Sequence, residues 1–126
     1  MATFEDVSHI AERLGGVTRG VRYGNGTWQV GKKAFAWERP FTKADLKRLG
    51  TVAAPSGPIL AVSVADLEDK DVVLAQGHPG VFTISHFDGY AAVLIELDTM
   101  NPTVLEDLLL DAWMTCTPTR PQDQRD

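Results

Sequence analysis

Phe4, Val7, Ile10, Ala11 and Leu14 recur at three- and four-residue spacing, which lays apolar side chains along one face of a helix. Thr3 followed by Asp6 makes a capping-box pattern at its start, with Asp where Glu is usual. Gly15-Gly16 stops it, because glycine readily takes the left-handed conformation that ends helices. The pattern then changes to short β-branched and aromatic runs at 21–23, 27–30 and 34–39. Gly24-Asn25-Gly26 and Gly31-Lys32-Lys33 separate these runs and read as hairpin turns, so a three-strand meander is expected. Pro40 ends the third strand, and residues 42–49 suit a brief helical turn capped by Thr42 and Asp45.

Residues 59–64, apolar except for Ser63, predict a buried strand. Asp66 then caps a second helix whose first turn holds Glu68 and Asp69, well placed against the helix dipole. Gly77-His78-Pro79-Gly80 breaks it. Residues 81–85 and 91–97 read as two strands about a His86-Phe87-Asp88-Gly89 turn. Asn101 caps a last helix and Pro102 opens it, where a missing N–H is no loss. Leu105, Leu108, Leu109, Ala112, Trp113 and Cys116 form its apolar stripe, and Pro118 ends it. The order α-βββ-β-α-ββ-α predicts an α+β domain over residues 1–118, with a mostly antiparallel sheet, helices on one face and a polar tail at 119–126.

Composition narrows the class. With 44% hydrophobic and 23% charged residues the chain is expected to fold without help from disulfides or metals. Cys116 is the only cysteine, so no internal disulfide can form. The first residues lack the basic and apolar regions of a signal peptide, and the longest apolar run, 91–95, is far short of a membrane span. A cytoplasmic protein is expected. The net charge of −5 conceals a division. Residues 19–48 hold eight bases against two acids, and residues 49–117 hold ten acids against one base, Lys70.

The segment GHPGVFTISHFDGYAAVLIELDTMNPTVLEDLLLDAWMTCTP, with the Gly-Lys-Lys-Ala-Phe-Ala stretch from Gly31 to Ala36, resembles the MmcQ/YjbR family. The resemblance implies a CyaY-like α+β fold, also described as double-wing DNA-binding-like, and no settled activity. Many members carry Asn-Lys-x-His-Trp near the last hairpin. Here that region reads Ile84-Ser85-His86-Phe87-Asp88.

Catalytic chemistry finds little footing. No His-x-x-x-His or Cys-x-x-Cys spacing is present, and Asp66, Glu68, Asp69 and Asp71 are accounted for by the helix dipole, so neither a metal nor another cofactor is expected. Cys116 lies on an apolar stripe, and Ser85 and His86, being adjacent, point to opposite faces of an extended strand. A non-enzymatic binding protein is the expectation. DNA is the first candidate partner, through Arg22, Lys32, Lys33 and Arg39 interleaved with Tyr23, Trp28 and Trp37. The alternative is a small-molecule pocket near Trp37, His86, Asp88 and Tyr90, since loops at hairpin tips commonly carry function.

Overall fold

The reciprocal cap at the first helix forms. The Asp6 amide donates to Thr3 Oγ1 at 3.1 Å and the Thr3 amide donates to Asp6 Oδ2 at 2.9 Å, opening α1 (Phe4–Glu12). The structure, a computed structural model, describes residues 2–22, 24–49, 57–84 and 87–117. After α1 come β1 (Val17–Arg22), β2 (Asn25–Val30), β3 (Lys33–Glu38), α2 (Lys43–Leu49), β4 (Ile59–Ser63), α3 (Leu67–Ala75), β5 (Val81–Phe82), β6 (Ala92–Glu96) and α4 (Pro102–Cys116). The six strands form one sheet in the order β1-β2-β3-β4-β6-β5, every neighbouring pair antiparallel. The chain is therefore the α+β protein its pattern predicts. The polar tail expected at 119–126 lies outside the described residues.

Strand alternation divides the apolar residues between two faces. Leu60, Val62, Val93 and Ile95 join the larger core, while Ile59, Ala61, Ala92 and Leu94 join a smaller one on the opposite side. The larger core is closed by α4, which runs across β3 and β4, and by α1 beside α4, with Val73 of α3 at its margin. A β-bulge enriches it. Trp28 faces Ala36 and Gln29 faces Ala34, so Phe35 is an extra residue on β3, and both Phe35 and Ala36 enter the same core. Trp28 is fully buried, and its Nε1 donates to Ser8 Oγ of α1 at 3.3 Å.

The α4 stripe buries Leu105, Leu108, Leu109, Ala112 and Cys116 as its spacing requires. Trp113 departs from that expectation. It is half-buried at the core's edge, and its Nε1 donates to the Gly15 carbonyl at 2.9 Å, joining α4 to the end of α1. A tryptophan that must satisfy an N–H settles where a backbone acceptor is free.

The expected strand at 81–85 stops after two residues. Glu96 donates its amide to the Gly80 carbonyl at 2.7 Å, and β5 then leaves the sheet. Gly80 has φ +94°, and a Cβ there would lie 2.8 Å from the Glu96 carbonyl oxygen. Beyond β5, Phe87 turns inward and is buried in the second core with Trp37, Phe41, Phe82 and Ile84 around it. Burial of one large ring takes precedence over continuing a two-residue edge strand, so the tight hairpin expected here becomes a longer loop.

Candidate functional site

Two groups of residues were singled out by the sequence, and the fold treats them differently. In a meander, successive turns fall at opposite ends of the sheet. Lys32 and Lys33 sit at the β2–β3 turn and are exposed. Arg39 follows the far end of β3, roughly 17 Å away along the strand at about 3.3 Å per residue. Arg22 pairs with Asn25 at that same far end. Lys32 and Lys33 therefore stand at the opposite end of the meander from Arg39. The Arg22 side chain, Tyr23 and His86 lie outside the described residues.

Arg39 is also engaged. Its Nη1 donates to Asp45 Oδ2 at 2.8 Å and to the Pro40 carbonyl at 2.7 Å, and its guanidinium lies 5.4 Å from the centre of the Phe87 ring. Asp45 is buried at the start of α2, where it also accepts the Thr42 amide at 2.9 Å and gives its own amide to Thr42 Oγ1 at 3.1 Å. Burial alone would raise the Asp45 pKa. The Arg39 bond and charge and the Thr42 hydrogen bonds outweigh it and hold the carboxyl below its ordinary value. The Arg39–Asp45 pair thus fastens α2 to the second core. Arg19 of β1 lies 4.9 Å over the Trp28 ring.

Two residues of the second group meet. Trp37 on β3 and Tyr90 before β6 come from distant parts of the chain, yet their rings lie 6.3 Å apart, tilted by 51°. Tyr90 also meets Phe87 edge-on at 5.4 Å. Trp37 is half-buried, Tyr90 is 52% exposed and Asp88 is exposed beside them in the loop. Together they make an aromatic surface on the second face of the sheet, with one side in water.

What fixes this surface is a residue the sequence reading passed over. Lys70 of α3 is 5% exposed, and its Nζ donates to the Phe87 carbonyl at 2.6 Å and to the Tyr90 carbonyl at 2.9 Å. Burial pushes its pKa below the ordinary lysine value, and the negative charges of Asp88 and Asp71 offset part of that shift. The ammonium closes the ends of a four-residue loop from inside. The available signal was its isolation: Lys70 is the one base among the ten acids of residues 49–117, three residues before the buried Val73.

No family model matches the chain. It is similar to Uncharacterized protein Rv2570 and Uncharacterized protein MT2646 of Mycobacterium tuberculosis and to Uncharacterized protein Mb2600 of Mycobacterium bovis. Each is 40% identical over 121 residues, covering 94% of this chain and 91% of the relative. The chain belongs to the family of these mycobacterial proteins. As a member of that family it carries, among its described residues, no cluster of three His, Cys, Asp or Glu side chains able to hold a metal ion. Cys116 is buried, with Sγ 4.0 Å from the Ala34 carbonyl oxygen. No described helix is long and apolar enough to cross a membrane.

Proposed function

We propose that this chain is a non-enzymatic, cytoplasmic binding protein of the MmcQ/YjbR type that receives a small planar ligand on the Trp37–Tyr90 surface, with Asp88 at its margin. One observation carries this reading: a buried lysine staples the loop that brings Tyr90 to Trp37. Burying an ammonium is unfavourable unless its bonds are made, and here they order a loop whose aromatic side chain remains half in water. A preorganised ring pair loses little entropy when a flat ligand stacks on it.

The test is a two-dimensional amide and indole spectrum recorded during titration with planar heteroaromatic fragments. The Trp37 indole and the amides of residues 87–91 should shift while the Trp28 indole does not, and Tyr90→Ala should abolish the response. Absence of any shift at millimolar fragment would overturn the reading. A second reading, weak DNA binding, draws on the exposed Lys32-Lys33 pair alone. It expects dissociation constants on the order of 10⁻⁴–10⁻⁶ M that weaken steeply with salt. In the same spectra duplex DNA would move Lys32 and Lys33 and leave Trp37 in place.

A further inference from the structure

The acidic half of the chain has a second feature, independent of the aromatic surface. Between α3 and α4 runs an open groove of about 650 Å³. One wall is Asp69, Val72, Val73 and Gln76, and the other is Val104, Asp107, Leu108 and Asp111. Both sets follow the spacing i, i+3, i+4, i+7, so each helix turns one continuous stripe toward the gap. Val73 and Leu108 are buried and belong to the core floor, while Val72 at 53% and neighbouring Leu110 at 39% stand exposed along the groove.

Charge distinguishes this groove from an ordinary gap between helices. Asp69, Asp107 and Asp111 line it, and no Lys or Arg does. Among the described residues neither Asp107 nor Asp111 takes part in an ion pair. Like charges four residues apart weaken a helix, so this spacing is unfavourable for α4 by itself. A cation lying between them relieves that repulsion. The lone base of α3, Lys70, sends its amine to the loop carbonyls of Phe87 and Tyr90.

We propose that the α3–α4 groove receives an amphipathic helix of a partner protein, apolar along the seam and basic along its margins. An eight-residue stripe spans about 10 Å at 1.5 Å per residue, so roughly two turns of the incoming helix are engaged. The mode is a helix laid in a groove, with anchors at three- and four-residue spacing. The same acids oppose docking of nucleic acid or of an anionic membrane surface.

The probe is a labelled Leu/Lys peptide of helical amphipathic period, followed by fluorescence polarisation at about 0.15 M salt, where the screening length is about 8 Å. Binding should weaken at least about tenfold in Val72→Ser/Leu110→Ser and in Asp107→Asn/Asp111→Asn. These positions are exposed, so unchanged melting will confirm that the variants fold. Glu5→Gln/Glu12→Gln removes the same charge from α1 and should leave affinity unaltered. Equal weakening in that control would mean attraction to net charge and overturn the proposal. Equal binding of a Leu/Glu peptide, or no binding of the Leu/Lys peptide, would do the same. So would a wild-type dimer in sedimentation that Val72→Ser/Leu110→Ser dissociates, since a second copy would then be the occupant.

Discussion

Replacing Lys70 with methionine removes the ammonium while keeping most of the side chain's length and apolar volume. Two charge-assisted bonds disappear, to the carbonyls of Phe87 and Tyr90. Neither oxygen is orphaned: the Phe87 carbonyl still accepts the Tyr90 amide at 3.0 Å, and the Tyr90 carbonyl still accepts the Ala92 amide at 2.8 Å. The loss is therefore that of the bonds themselves, about 1.5–3 kcal/mol each for a charged donor. Relief from burying the ammonium, an effect of several kcal/mol per ion, offsets a large part. A net destabilisation of about 2 kcal/mol is expected, against the roughly 5–15 kcal/mol available to a domain. In a chain of this size that lowers Tm by roughly 5–10 °C. Urea unfolding followed by far-ultraviolet circular dichroism measures the global term. Near-ultraviolet dichroism and amide exchange at Tyr90 and Ala92 measure the local one. Lys70→Met should speed exchange at those two amides and reduce the aromatic signal while the α4 amides stay protected. A variant as stable as the parent, with Tyr90 exchange unchanged, would refute the idea that Lys70 holds the loop.

Asp45→Asn should flatten the acid limb of the stability curve. The folded pKa of Asp45 lies below 3.8, so its contribution is complete above that value and is lost as pH falls through the lower folded value; urea midpoints at a series of pH values from about 5 downward measure this. Trp28→Ala should destabilise by about 3–5 kcal/mol, the range for deleting a fully buried large aromatic. Trp113→Phe should cost about 0.5–1.5 kcal/mol, since the half-buried ring persists and its bond to Gly15 is lost, both read from denaturant midpoints. Gly80→Ala should cost more than about 1–2 kcal/mol, combining positive φ with a Cβ crowded against the Glu96 carbonyl, and thermal melting will measure it.

Local signals in the chain determined a good deal. The Thr3–Asp6 and Thr42–Asp45 cap pairs, the Asp66 cap and Asn101-Pro102 place helix starts, because a cap acts within three residues and needs no distant partner. Two-residue alternation in 59–63 and 92–96 is hidden because every residue but the last, Ser63 and Glu96, is apolar. That marked 59–64 as a buried strand and 91–97 as a strand, while their central place in the sheet came only from the fold. Trp37 and Tyr90 were legible as candidates from residue type and their place at strand ends.

Other features were decided only by the tertiary structure. That Arg39 is neutralised by Asp45, and that Lys32 and Lys33 lie at the opposite end of the sheet from it, depends on strand direction, which a list of bases along the chain does not contain. Trp113 lies on the apolar stripe of α4, yet the position of Gly15 moves it to the edge of the core. Phe35 enters the core because β3 carries a bulge. Lys70 reads as one more solvated charge on a polar helix until the loop seventeen residues later is folded over it. Each of these outcomes depends on which backbone carbonyl, carboxylate or ring arrives from a distant segment. Burial then makes that partner decisive, since a polar group withdrawn from water must find its bond in the fold.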